Sequence, residues 1–543
     1  MIAQSRNSDI LTTETGTTRT LVDVFDRFEQ TPDDPFLTYV DIDGKDHEPV
    51  AGATFGELAE TADRFAAALH RHGVRRGDRV AVVALPRPEY VAVLLGAMRL
   101  GAVPAPINHQ FKVRELGATL AILEARVVVV DETTVVVAEQ AVAGLSEQPT
   151  LAGISGFDGV DLVLTTAPAS DYPRPEIGPE DPALILHSSG TTGLPKTVLR
   201  THGSVTEFLA LFATYFDDDE RLLNFLPLYH QAGLILNVFT AAYLRVELVQ
   251  ASRFTASSFW SLIDRYGATH SNLVSPMASF VLAQPRSEHD RRHSLRWVVV
   301  AGRNDHWADF QDRFGVVGMT FYGSTESLQI TSSGNPQRGP VPRSTLEAVG
   351  SSNYTGFPID SASGFRIVGS DGTTVVDLGT TGQLEVRSHF CFTEYFNQPA
   401  LTRDAFTEDG WFKTGDLAYS RADGSLVLVG RESGMIRRSG ENIAPREIEL
   451  LLEDHPSIDE ALVVAVPDDA RGQEILAQVV AAEDAALTAD AVFAYLADNL
   501  SAFKVPRYLR FCTQFERTST LKIKLDQGAI DANRTSWHER TAP

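Results

Sequence analysis

Ser188, Ser189, Gly190, Thr191, Thr192, Gly193 and Lys196 gather four hydroxyls, two glycines and one ammonium into nine residues, just after the apolar run Leu184-Ile185-Leu186. These are groups suited to holding phosphate. Glycine lets the backbone turn its N–H groups toward an anion, hydroxyls add donors, and lysine brings a compact positive charge. Ser/Thr/Gly clusters are also ordinary loop composition, so the stretch alone also admits a solvated turn. The P-loop of nucleoside triphosphatases is a poor match, because Pro195 stands where that loop has a glycine before its lysine. Proline has no amide hydrogen to offer a phosphate.

Lysine is scarce. Seven of the 47 basic residues are lysine (Lys45, Lys112, Lys196, Lys413, Lys504, Lys522 and Lys524), and the rest are arginine. Where arginine has taken over so widely, the lysines that remain are candidates for work that needs a compact ammonium.

Four more segments follow the loop in fixed order: Tyr322-Gly323-Ser324-Thr325-Glu326; Gly410-Trp411-Phe412-Lys413-Thr414-Gly415-Asp416; Gly430-Arg431 through Gly440-Glu441-Asn442-Ile443-Ala444-Pro445-Arg446-Glu447-Ile448-Glu449; and Arg517-Thr518-Ser519-Thr520-Leu521-Lys522-Ile523-Lys524. Together with the loop they resemble the adenylate-forming superfamily of acyl-CoA synthetases, nonribosomal adenylation domains and firefly luciferase, from about residue 21 to 525. The stretch Gln284-Pro285-Arg286 through Asp290-Arg291-Arg292-His293-Ser294-Leu295-Arg296, and the non-glycine Leu521 before Lys522, are most similar to the carnitine/crotonobetaine-CoA ligase group.

That resemblance implies an ATP- and Mg²⁺-dependent ligase that joins an acid to the α-phosphate, expels pyrophosphate, and passes the acyl group to CoA. The charge that builds up is stabilised by metal, lysine and backbone donors. Carried over, the loop from Ser188 to Lys196 holds the β- and γ-phosphates, Thr325 meets the α-phosphate, and Glu326 holds the metal. Tyr322 stacks on adenine, Asp416 accepts both ribose hydroxyls, and Arg431 binds the ribose or its phosphate side. Lys522 corresponds to the catalytic lysine; Lys524 competes for the role, and the Ile-Lys that follows favours Lys522. Lys504, in Phe503-Lys504-Val505-Pro506, is offered as a contact for a CoA phosphate. The family swings its small domain between the half-reactions, and the pivot position is Ser433 here, followed by Gly434, whose backbone freedom suits a hinge.

The acid pocket is implied by Pro227-Leu228-Tyr229-His230-Gln231-Ala232-Gly233, with His230 facing the acid, by Gly323, and by Ala301-Gly302-Arg303-Asn304-Asp305-His306, where many relatives carry a small turn. Arg303 and Asn304 make that segment bulky and polar, so the expected acid is small, polar or aromatic rather than a long alkyl chain. Two alternatives stand beside CoA ligation. One is adenylation of an unusual acid such as nitrite with transfer to an amine, a diazotase-type N–N bond formation. The other is a non-catalytic nucleotide-binding relative, against which Glu326, Asp416 and Lys522 together argue.

Bulk properties bound the partners. At 543 residues the chain is too long for one ordinary core. A net charge of −24 disfavours nucleic acid and anionic membranes. The polar start lacks a basic-then-apolar leader, and the apolar runs Val127 to Val130 and Val135 to Val137 are broken by Asp131 and Glu132. Cys391 and Cys512 show no metal or redox spacing. A cytoplasmic protein acting on a small-molecule acid and acceptor, without membrane insertion, is therefore expected; self-association as a homo-oligomer is left open.

The elements that must carry these residues read as an α/β chain. Thr54 and Glu57 form a capping box, and Phe55, Leu58, Phe65 and Leu69 recur at helical spacing up to Gly73. The β-rich run Arg79 to Leu85, helical Glu89 to Leu100 and Ala102 to Ile107 then set a βαβ rhythm, which predicts parallel sheets covered by helices. From Gly350, short strands and the pairs Asp371-Gly372, Asp409-Gly410 and Asp423-Gly424 predict a β-rich subdomain. The expected division is a large N-terminal domain over 1–432, its β-rich part at about 350–432, and a small mobile α+β domain over 433–543. The small domain carries a helix from Pro445 to Asp454, a strand from Glu460 to Val466 and a helix from Thr488 to Leu500.

Overall fold

A computed structural model describes residues 19–540 except 44–46, 166–170, 189–194, 302–306, 335, 337–338, 340, 346–353, 370–377, 432–434, 444, 483–484 and 516–533. The chain forms two compact units, the larger from Met1–His109, Leu120–His187 and Lys196–Glu432.

Within the larger unit the capping box forms as read: Thr54 accepts from the Glu57 N–H, and the Glu57 carboxylate accepts from the Thr54 N–H, opening helix Phe55–Arg71. Its apolar stripe lies against helix Pro88–Arg99, which is buried along nearly its whole length. The two helices come close because Gly96 has no side chain; a Cβ there would sit 2.7 Å from the Ala62 carbonyl oxygen. The strands between form a wholly parallel five-stranded sheet in the order Val103–Pro106, Arg79–Val83, Val127–Val130, Thr150–Gly153, Leu162–Val163. Arg79–Val83 and Val127–Val130 are nearly continuous valine and alanine, the apolar run that a sheet covered on both faces favours.

A second, seven-stranded sheet runs Val317–Met319, Trp297–Ala301, His270–Val274, Leu222–Asn224, Leu248–Ala251, Pro35–Val40, Pro49–Thr54, parallel throughout except for the last pair. The third sheet is antiparallel, in the order Phe321–Ser324, Leu328–Ser332, Tyr354–Pro358, Leu426–Arg431, Phe412–Ser420, Gly382–Arg387, Gly364–Val368. It begins at Phe321, upstream of the composition change at Gly350, because glycine and Asp-Gly pairs mark turns and say little about the strands before them. A small sheet joins Pro182–Ser188, Lys196–Thr201 and Glu394–Tyr395.

The smaller unit contains Gln110–Thr119 and Ser433–Pro543. Its sheet runs Glu441–Ile443, Ile436–Arg438, Gly472–Ala481, Tyr508–Cys512, His538–Glu539, with Ile458–Asp468 paired along Gly472–Ala481. Helices Pro445–Glu453 and Ala489–Asn499, the second capped by Thr488, bring Ile448, Leu452 and Leu496 into the core with Ile436, Val463, Val479 and Leu509.

Lys504 is not an open contact for phosphate in this structure. Its ammonium is buried and donates to Glu115 at 2.7 Å and Glu447 at 2.8 Å, and it lies 4.9 Å from the centre of the Phe111 ring. Burial alone would lower its pKa, but the two carboxylates outweigh it and hold the ammonium above the ordinary lysine value. A lysine is tolerated in such a place when its charge is paired and its donors are used. Among the described residues no helix is long and apolar enough to cross a membrane.

Candidate active site

Strand Lys196–Thr201 starts where the glycine-rich loop ends, and Glu394–Tyr395 pairs with it antiparallel, Tyr395 opposite Val198. That register sets the tyrosine beside the loop's lysine. Lys196 Nζ donates to the Tyr395 hydroxyl at 3.4 Å and lies 5.0 Å from the ring centre. The hydroxyl in turn donates to Glu326 Oε1 at 3.1 Å. Two sequence candidates 130 positions apart, Lys196 and Glu326, thus meet on one hydroxyl.

Glu326 owes its place to a tight hairpin. Phe321–Ser324 turns back into Leu328–Ser332, with Ser327 Oγ accepting from the Ser324 N–H and Ser324 Oγ accepting from the Glu326 N–H at 3.2 Å. Gly323 is required there, since a Cβ would lie 1.8 Å from the Leu328 carbonyl oxygen. The turn is held from outside as well: the Phe392 N–H donates to the Glu326 carbonyl at 2.7 Å, and the buried Arg200 guanidinium donates to the carbonyls of Thr325 and Phe390. Burial draws the Arg200 pKa down to about 10, with Cys391 and Glu326 opposing, so it stays cationic at neutral pH. The two terminal nitrogens of this enclosed charge are used as donors, and they fix the backbone that presents Thr325 and Glu326.

On the same hairpin the Tyr322 hydroxyl donates to Asp416 Oδ2 at 2.8 Å, both residues buried. Asp416 lies on strand Phe412–Ser420, just after Gly415 at φ +73°, and its backbone partner on the next strand is Arg431. His230 lies elsewhere in the larger unit, beyond strand Leu222–Asn224. It caps a short helix, Gln231–Gly233, that continues into the π-helical turn Leu234–Phe239. Gly233 makes that turn feasible, because a Cβ would sit 2.2 Å from the Pro227 carbonyl oxygen.

Among the described residues no group of three or more His, Cys, Asp or Glu could hold a metal ion. A single carboxylate such as Glu326 instead fits Mg²⁺ held largely by nucleotide phosphates and water, and Tyr395 donates to its Oε1. Ser188 ends its strand. Ser189, Gly190, Thr191, Thr192, Gly193, Arg303, Asn304, Ser433 and Lys522 lie outside the described residues. Sequence reasoning missed Arg200 and Tyr395. A charged residue inside the apolar run Val198-Leu199-Arg200 was a readable signal for the first, whereas nothing local marks the second.

Comparison with known proteins places this geometry. The model of the AMP-binding enzyme family matches residues 24–396, and that of the AMP-binding enzyme C-terminal domain matches 447–522. A sulfoacetate–CoA ligase of Cupriavidus necator is 33% identical over 526 residues, covering 93% of this chain and 98% of the relative. A crotonobetaine/carnitine–CoA ligase of Escherichia coli O157:H7 is 28% identical, covering 86% and 91%. Among solved structures, the amide bond synthetase McbA from Marinactinospora thermotolerans superposes with a TM-score of 0.82 over 94% of this chain and 99% of that one; at 24% identity this likeness concerns the fold alone.

Proposed function

The chain belongs to the AMP-binding enzyme family of ATP-dependent, AMP-forming ligases, and we propose that it adenylates a small polar acid with release of pyrophosphate and then transfers the acyl group to CoA. The observation that carries this reading is the chain Lys196–Tyr395–Glu326, which brings the lysine at the end of the phosphate loop and a single metal-suited carboxylate onto one hydroxyl. With ATP bound, Lys196 would neutralise the outer phosphates and Glu326 would hold Mg²⁺. Mg²⁺ supplies charge neutralisation on the triphosphate. Tyr395 orients the carboxylate, Thr325 faces the α-phosphate, and Arg200 keeps the backbone beneath both residues fixed before charge develops, so no reorganisation is needed at that moment. Asp416, its Oδ2 oriented by Tyr322, and Arg431 take the ribose end. Lys522 would reach the α-phosphate during the first half-reaction, and a swing about Ser433 would admit the thiol for the second.

The acid's size and polarity are supported by Arg303, Asn304 and His306 in the sequence and by a relative whose name gives sulfoacetate, a two-carbon acid with a second anionic group. Pyrophosphate release across sulfoacetate, malonate, acetate, butyrate, palmitate, benzoate and nitrite, with and without CoA or an aryl amine, tests the reading. Release with a short polar acid and CoA-dependent thioester formation are expected. A steady rise in kcat/KM from acetate to palmitate would overturn the polar-acid assignment, and turnover only with nitrite and an amine would overturn CoA ligation.

A further inference from the structure

The backbone leaving strand Val103–Pro106 does two things within four residues. The Pro106 carbonyl engages the buried His187 Nδ1 at 3.2 Å, and His109 follows three positions later. His187 has its Nδ1 occupied; His109 does not. Its Nδ1 is buried and has no hydrogen-bond partner among the described residues. A buried polar atom left in that state is destabilising, so it calls for a reason.

The rings around His109 suggest one. Tyr229 meets the His109 ring edge to face, with centroids 5.7 Å apart and planes at 69°. Tyr229 also lies 4.6 Å from the ring of His230, the residue expected to face the acid. His109, Tyr229 and His230 therefore form a continuous row of rings built from two separate strand ends. Burial pulls His109 toward its neutral form while Asp131 favours the proton. A neutral imidazole still carries one N–H, and an anion's oxygens are good acceptors for it. Two imidazoles separated by one aromatic ring suit a compact acid with an anionic group at each end, and suit an alkyl chain badly, because the chain would leave the His109 Nδ1 unsatisfied.

We propose that His109 is a specificity-determining residue that recognises the second anionic group, a sulfonate or carboxylate, of a small doubly charged acid whose first carboxylate is adenylated on the His230 side. The proposal rests on the adenylation reading above and narrows its substrate class.

The test compares kcat/KM for pyrophosphate release with sulfoacetate and malonate against propionate and butyrate, in the full-length protein and its His109→Phe and His109→Gln variants. Phenylalanine keeps the ring edge against Tyr229 and removes both nitrogens; glutamine keeps a donor and loses the ring. The unaltered protein is expected to prefer the doubly charged acids. His109→Phe should lower the ratio of doubly to singly charged acid about tenfold or more, mainly through KM, because one charge-assisted hydrogen bond is lost, and His109→Gln should restore part of it. A ratio that does not move, with both classes of acid falling together or neither falling, overturns the proposal and leaves His109 a packing residue. If His109→Phe does not fold, the glutamine variant and the acid series decide. Release from singly charged acids alone overturns this inference and leaves the adenylation reading standing, whereas no release from any acid brings down both.

Discussion

Replacing Tyr395 with phenylalanine removes a single oxygen from the chain that joins Lys196 to Glu326. That oxygen donates to Glu326 Oε1 across 3.1 Å and accepts from Lys196 Nζ across 3.4 Å. The second contact is at the outer edge of hydrogen-bond range and contributes little. The aromatic face 5.0 Å from the ammonium survives the change, as does the ring's packing against Phe392. What remains is one hydrogen bond to a buried carboxylate, worth about 1.5–3 kcal/mol. Expressed wholly in the transition state, that is roughly a 10- to 150-fold loss in kcat/KM. Glu326 already accepts this bond before any substrate arrives, so part of the effect belongs to binding of the metal–nucleotide complex, not to the chemical step. The expected result is therefore about a tenfold fall in kcat/KM for ATP, near the lower end of that range, with a higher Mg²⁺ concentration needed for half-maximal rate. Initial rates of pyrophosphate release over a grid of ATP and Mg²⁺ concentrations measure both. If Tyr395→Phe keeps the original kcat/KM and the original Mg²⁺ dependence, the hydroxyl does not orient Glu326, and the reasoning that joins Lys196 to the metal carboxylate fails.

Three further outcomes are expected. Lys522→Ala should lower adenylate formation by at least ~10²-fold, the order seen when one preorganised charge-stabilising donor is lost, while thiol transfer from a supplied acyl-adenylate survives; a silent Lys522→Ala beside a damaging Lys524→Ala would move the catalytic assignment two residues on. Ser433→Pro should leave adenylation largely intact and block thioester formation, because proline fixes φ at the proposed pivot; equal loss of both steps would locate the pivot elsewhere. Burial pulls His187 and His202 down to about 4 and His270 to about 3, so the unfolded chain takes up these protons first, and the stability they protect is complete above about pH 6.5 and lost as pH falls toward the folded values. Between pH 7.5 and 5.5, above the range where ordinary carboxylates titrate, each costs about 1.3 kcal/mol and the three roughly 4 kcal/mol. The urea midpoint of the larger unit should drop accordingly, His202→Gln should flatten the drop by about a third, and an unchanged midpoint at pH 5.5 would show that these sites admit protons freely.

What could be read from the sequence, and what could not, follows from how far each constraint reaches along the chain. The capping box at Thr54 and Glu57 was legible because both partners lie within one turn of helix and each satisfies the other's backbone N–H. The hairpin around Glu326 was not read as one, and its segment stood out only by resemblance, because the clash of a Cβ at Gly323 with the carbonyl of Leu328 five positions later appears only once the turn is folded. The parallel sheet from Arg79 onward needed only alternating helix and strand periodicity. Tyr395 obeys no such local rule. Its importance comes from pairing with a strand about two hundred residues earlier, and any aromatic would have read the same way in the sequence. Lys504 was misread for the converse reason, since nothing near Phe503-Lys504-Val505-Pro506 announces that Glu115, nearly four hundred positions upstream, closes over it. The same distinction separates the two halves of the proposed chemistry. Handling of ATP rests on short turns whose glycines and hydroxyls are fixed by backbone geometry, and these survive as motifs. Recognition of the acid, as proposed, would rest on side chains such as His109 and His230, brought into one row of rings by strands of two different sheets, where a change of one residue would disturb no turn. Substrate choice in such a fold is therefore free to change while the motifs stand still, which is why the acid must be found by measuring His109 variants against a series of anions.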